Sequence, residues 1–252
     1  MKKFIISFCY ILLPVVVFAQ QQNEVLFSEA NEAYNKGSYA KAIELYEKIE
    51  KTGSVSENLY FNLANSYYKQ QQIAPSIYNY EKALTLAPND KEIKTNYGFA
   101  KKMRIDVINP LPKGFLQKMR IKFVTLFSVT TWAWITIVFM LLFVITFILF
   151  YRAATSEQRK LFFGIWTVSL LLCIISIVGA FTTENYEENT AYAIVFSEQS
   201  NIQSEPNLRS ETLYKLHEGT KVKVLEKVDN WKKIQLADGR KGWIPKKEIK
   251  EI

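Results

Sequence analysis

Two long uncharged runs in the middle of the chain restrict what it can fold into. No charged residue occurs from Phe123 to Tyr151, and none from Leu161 to Thr183. Each run exceeds the roughly 20 apolar residues a helix needs to cross the hydrocarbon core of a bilayer. Nine residues, Arg152 to Lys160, lie between them, so the pair reads as a helical hairpin through a membrane. Trp132, Trp134, Tyr151 and Trp166 fall near the ends of the runs, where amphipathic rings favour the headgroup zone. A large soluble core is the competing explanation, but uncharged helices of this length are uncommon there. The expected spans are 132–151 and 161–181, joined by a loop at 152–160 and flanked by soluble parts.

The start of the chain carries a third apolar stretch of another kind. Lys2 and Lys3 precede Phe4 to Phe18, and Val17-Phe18-Ala19 ends the run before Gln20. Charge, length and exit residues predict a secretory signal peptide over 1–19. The rival reading is an uncleaved anchor, although fifteen residues are short for a span. With the signal peptide and an even number of spans, both soluble parts face the exported side, in a two-pass inner-membrane protein with periplasmic domains. The loop carrying Arg152, Arg159 and Lys160 is then cytoplasmic, as the positive-inside bias asks of the second span. Lys113, Lys118, Arg120 and Lys122 before the first span run against that bias.

The net charge of +8 is uneven. Segment 91–122 holds 9 basic and 2 acidic residues, whereas 20–90 holds 6 basic and 9 acidic. The excess therefore adjoins the expected membrane, where anionic lipid headgroups are the natural partner. Export argues against nucleic acid. Cys9 falls in the signal peptide and Cys173 in the second apolar run, so the mature chain has no intramolecular disulfide to staple its soluble parts.

Between 20 and 106 the chain repeats itself. An offset of 34 residues aligns Ala30 with Ala64, Ala42 with Ser76, Tyr46 with Tyr80 and Ile49 with Ala83. Two antiparallel helices per 34 residues is the spacing of tetratricopeptide repeats, and residues 24–90 resemble that family. Small residues fall where helices must approach closely. Gln71 stands where the first unit has its turn Gly37, and Pro75 opens a helix, which its first turn tolerates. Residues 91–106 supply only the first helix of a third unit, giving two and a half repeats. Such stacks present a concave face suited to a peptide. Phe27, Asn31, Asn62, Asn65 and Lys69 are the candidate lining, the amides pairing with an extended backbone. Ordinary solvated polar positions are the alternative for the asparagines.

Residues 107–131 form a basic juxtamembrane segment. Asn109-Pro110-Leu111-Pro112 breaks the helix, and FLQKMRIKF then mixes apolar residues with cations. It reads either as an interfacial amphipathic helix or as a plain basic linker.

From 190 to 252 the pattern changes to alternation. YAIVF, KVKVLE, WKKIQL and GWIP are β-branched or aromatic runs divided by turn residues, and Asp238-Gly239 is a hairpin signal. Five or six short strands in this length suggest a small barrel. Asn201 to Pro206, Gly219, Trp231, Asp238-Gly239 and Gly242-Trp243-Ile244 resemble the bacterial SH3 family, with Gln203 at a place where Arg is usual. That resemblance implies wall-peptide binding or an adaptor role. Trp231 and Trp243 are read as core. Lys232, Lys233, Arg240 and Lys241 are read as an exposed basic face, either merely solvated or turned to an acidic partner.

The fold class is thus a multidomain membrane protein, with helical tetratricopeptide repeats, a two-helix hairpin and an all-β SH3-like barrel. No catalytic constellation is found. The single His217 sits in an expected exposed turn, with no soluble Cys to serve, no metal set and no cofactor motif. As a whole, the order of modules resembles the BatE-like proteins of bacterial aerotolerance (Bat) operons. That resemblance implies a non-enzymatic scaffold working with von Willebrand-type-domain membrane proteins and a MoxR-like AAA+ ATPase. Binding or sensing of peptidoglycan is the alternative function.

Overall fold

The computed structural model describes residues 22–188 and 190–252; the expected signal peptide lies outside them. Contacts divide the chain into two units. One joins the segment up to Asn109 with Tyr192–Ile252, and the other is Pro110–Ala191.

The first unit begins with five helices: α1 over 22–35, α2 Tyr39–Lys51, α3 Glu57–Lys69, α4 Ile73–Leu86 and α5 Lys91–Lys102. Their starts are set locally. Ser56 accepts the N–H of Leu59 with its hydroxyl, and Asp90 accepts that of Ile93, so each caps a helix. Pro75 sits in the first turn of α4, where its missing N–H costs no helical bond. Gly37 and Gln71 close the turns of units one and two with φ of 77° and 59°. The 34-residue equivalence therefore holds for the backbone even where the glycine is absent.

Helix α3 is the hinge of the packing. Leu59, Leu63 and Tyr67 belong to a core with Ala30, Ala42, Leu45 and Tyr46. Tyr60 and Ala64, one residue on, belong to a second core with Ala74, Ile77, Tyr80, Ile93 and Tyr97. Ala30, Ala42, Ala64 and Ala83 are fully buried, as the small-residue pattern requires.

The second part of this unit is a seven-stranded antiparallel sheet, two strands more than the lower sequence expectation. The strands are β1 Tyr192–Val195, β2 Gln199–Gln203, β3 Thr212–His217, β4 Lys221–Val228, β5 Trp231–Gln235, β6 Lys241–Pro245 and β7 Ile249–Glu251. They are ordered β3-β2-β6-β5-β4-β1-β7. The Asp238-Gly239 turn joins β5 to β6, with Gly239 at φ 91° and the Asp238 carboxylate accepting the Arg240 N–H. At Gly242 a Cβ would collide with the Ile202 side chain, so β6 passes β2 at a distance only glycine permits. Ile194, Ile202, Ile234 and Ile244 fill the interior, and Trp243 is buried with them while Trp231 is half-exposed.

Repeats and barrel share a core. Ile194 joins the second helical cluster, and Phe196 packs against it, its ring edge-on to Tyr78 with centroids 5.7 Å apart. The turn at Gly219 lies against Ile73 and Ile77 of α4. Asp106, just past α5, accepts the main-chain N–H of His217 at 2.6 Å and the Thr220 hydroxyl at 2.7 Å, and faces the His217 ring at 2.9 Å. Lys221 reaches Glu81 of α4 at 2.7 Å. His217 is therefore not in an exposed turn, as its sequence context suggests. It is half-buried against the helical array, because the carboxylate holding it arrives from more than a hundred positions away in sequence.

The second unit contains α6 Phe115–Val124, α7 Val129–Arg152 and α8 Ser156–Glu188. Both α7 and α8 are long and apolar enough to cross a membrane. The turn between them is shorter than the nine residues between the charged borders. The Thr155 hydroxyl accepts the Gln158 N–H and starts α8 within the charged stretch. Thr136 donates to Ser176 across the pair at 2.8 Å, and the Trp132 ring lies over Gly179.

Candidate functional site

The helical array carries a repeated side-chain arrangement. In the first repeat the Tyr46 hydroxyl and the Asn62 amide both donate to Asn31 Oδ1, at 2.6 and 3.0 Å. In the second, the Tyr80 hydroxyl donates to Asn65 Oδ1 at 2.5 Å and the Asn96 amide does so at 3.2 Å. All three positions are related by 34 residues, so one asparagine per unit ties the following helix of its own unit to the first helix of the next. Burial raises the Tyr46 hydroxyl to about 12 and also pushes Tyr80 upward. Both therefore stay protonated donors at neutral pH.

Beside the second of these sites is a cavity of about 250 Å³. Tyr34 of α1, Asn65, Tyr68 and Lys69 of α3, Tyr80 of α4, and Asn96 and Phe99 of α5 line it. The first helix of each unit therefore contributes. Asn65 Nδ2 and Asn96 Oδ1 have no hydrogen-bond partner among the described residues. One is a donor and the other an acceptor, the complement of an extended peptide backbone. Lys69 adds a positive charge at the end of α3, and Phe99 presents a half-exposed ring.

The predicted site residues divide accordingly. Asn65 and Lys69 meet at the cavity. Asn31 and Asn62 form the neighbouring linkage, with both acceptor sites of the Asn31 oxygen already used. Phe27 packs edge-on against Tyr46, centroids 5.7 Å apart, at the margin of the first core. Asn96 and Phe99 went unnoticed in sequence, although Asn96 lies 34 positions after Asn62 and was detectable by the same offset.

The expected basic face of the barrel needs correction at Lys232. Its side chain is 7% exposed and its ammonium lies 2.7 Å from Glu251. Residues alternate across β5, which puts Lys232 on the same face as buried Ile234. Arg240 is exposed but paired with Asp238 at 2.8 Å and stacked 4.7 Å above the Tyr214 ring. Lys233 stands 5.5 Å over the Trp243 ring. Of the four cations, Lys241 alone is exposed on its strand without an ion pair among the described residues. In the position of Gln203 the side chain is buried and hydrogen-bonds Thr212 at 3.3 Å, a neutral substitute for the arginine of the resembling family.

Among the described residues no group of three or more His, Cys, Asp or Glu is placed to hold a metal ion. Residues 57–90 match the tetratricopeptide repeat family, and residues 199–250 match the bacterial SH3 domain family. No curated protein matches the chain. Both matched modules are non-catalytic interaction folds.

Proposed function

We propose that this chain is a non-enzymatic, membrane-anchored scaffold whose repeat groove holds an extended segment of a protein partner. The observation that carries the reading is the cavity at Asn65 and Asn96, where an amide donor, an amide acceptor, Lys69 and the Phe99 ring converge. Helices α7 and α8 serve as a two-pass anchor. The shared core of repeats and barrel supports an even number of crossings. Residues joined by the Asp106–His217 and Glu81–Lys221 contacts must lie on one side of any bilayer that the intervening helices cross. The signal-peptide pattern of 1–19 supports the exported side, the periplasmic face of an inner membrane, as that side.

The order of modules supports a finer assignment, to an aerotolerance (Bat)-type complex. Its partners would be von Willebrand-type-domain membrane proteins and a MoxR-like AAA+ ATPase. A second reading, binding of peptidoglycan, is favoured by the bacterial SH3 match and the exposed cations Lys241, Lys246 and Lys247.

Crosslinked co-purification from native membranes tests the first reading. Lys69→Ala and Phe99→Ala should lower recovery of the partner without lowering the melting temperature. Unchanged recovery from both variants removes the groove as the contact surface. Retention of the full-length protein on purified wall sacculi at high salt would put the peptidoglycan reading first. Reporter fusions at residues 60 and 230 should both report the exported side.

A further inference from the structure

Helix α6 presents an apolar stripe to the outside of its own unit. Phe115, Leu116 and Met119 are 75, 79 and 56% exposed, and Met119 lies four residues after Phe115 and three after Leu116, which puts it on one helix face with both. The opposite side is used internally. Val124 is 2% exposed, and its carbonyl accepts the Thr183 hydroxyl of α8 at 3.1 Å. Contact with α8, and of Phe123 with the Trp132 ring of α7 at 5.4 Å, fixes the orientation of α6, and the N-terminal part of the stripe is the face left over.

Cations flank that stripe. At about 100° per residue, Lys118 and Lys122 border it on one side and Arg120 on the other, all exposed. None forms an ion pair among the described residues, including with Glu184 and Glu187 on the nearby end of α8. Only four residues separate α6 from the start of α7, so a bilayer crossed by α7 is within reach of the stripe. Long basic side chains bordering an apolar face can bury their stems while keeping the charge in water.

We propose that α6 lies in the headgroup boundary of the membrane, its stripe among the acyl chains and its three cations on the phosphates of anionic phospholipids. The inference rests on the reading of α7 and α8 as spans. It also accounts for basic residues that run against the positive-inside bias of the first span. They serve as interfacial contacts, held by the negative charge of the lipid phosphates.

Site-directed spin labelling of the full-length protein tests this, in a background with Cys9 and Cys173 replaced by Ser. Labels at Leu116→Cys and, separately, Ile145→Cys are compared in liposomes of phosphatidylcholine with and without phosphatidylglycerol. Accessibility to oxygen against a water-soluble nickel chelate reports depth. Ile145 should read deep, and Leu116 shallow but shielded from nickel. Phosphatidylglycerol should increase the shielding at Leu116, and Lys118→Gln/Arg120→Gln/Lys122→Gln should abolish that increase. Leu116 open to nickel in both lipids, with Ile145 deep, overturns the inference and leaves the spans standing. Shielding that ignores phosphatidylglycerol overturns the anionic-lipid assignment. Ile145 open to nickel removes the spanning reading and this inference with it.

Discussion

Asp106 holds His217 through two contacts at once, the main-chain N–H at 2.6 Å and the ring Nδ1 at 2.9 Å. A carboxylate that accepts from His217 and Thr220 fastens the β3–β4 turn to the end of the helical array. Asp106→Ala leaves those donors without their acceptor, at a cost of about 1–3 kcal/mol. Amides 217–220 should exchange faster with solvent in this variant, with those of α2 unchanged. Unaltered protection at 217–220 would show that the carboxylate is not what holds the turn.

The same contact sets a pH dependence. Burial works to raise the Asp106 carboxyl, but the His217 and Thr220 hydrogen bonds prevail and hold it below its ordinary value. A carboxyl depressed in the folded state adds stability above the unfolded value, about 3.9. That contribution is lost as pH falls through the lower folded value. Asp106→Asn should therefore be less stable than the parent at pH 6, and the difference should shrink as pH falls below about 4. Thermal melts of both proteins across that range give the comparison.

Gln71 adopts the left-handed backbone of Gly37, with φ 59° against 77°. That conformation costs a residue with a Cβ about 1–2 kcal/mol, and glycine returns part of it as greater freedom in the unfolded chain. Gln71→Gly should raise stability by about 1 kcal/mol, read as a higher melting temperature. Gly37→Gln should lower it.

Asn65→Ala removes the acceptor of the buried Tyr80 hydroxyl and of the Asn96 amide. It should destabilise the array by about 1–3 kcal/mol, so a loss of partner binding in this variant would not by itself identify a contact residue. Circular dichroism melts should show Asn65→Ala well below Lys69→Ala, whose side chain is exposed.

At Gly179 a Cβ would meet the Trp132 ring at 2.8 Å. Gly179→Leu should push α7 from α8, and overpacking of this kind costs about 1–3 kcal/mol. The Thr136–Ser176 hydrogen bond marks the same contact. A Thr136→Cys/Ser176→Cys pair should therefore crosslink readily in the parent and poorly with Gly179→Leu.

Much of this organisation was legible because it is periodic or extreme. The uncharged runs announce α7 and α8, and the 34-residue offset announces the helical pairs. That offset also foretells the left-handed turn at Gln71 and the Asn96 partnership. Alternation in β5 places Lys232 on the face of buried Ile234, but the run of lysines reads as surface until a partner such as Glu251 is in view. Asp106 and Glu81 left no such signal. Their roles arise where a loop and a helix meet a barrel encoded much later, and neither period nor composition records that meeting.

Ile194 packs into the cluster that holds Tyr80 and Tyr97, yet α7 and α8 are made between them. During synthesis the repeats emerge first, and their second core keeps a gap where Ile194 belongs until α7, α8 and β1 have been made. Exposed apolar surface in such intermediates invites chaperones and proteases. The helices alone thus cannot complete the array, whose second core takes one of its buried residues from β1.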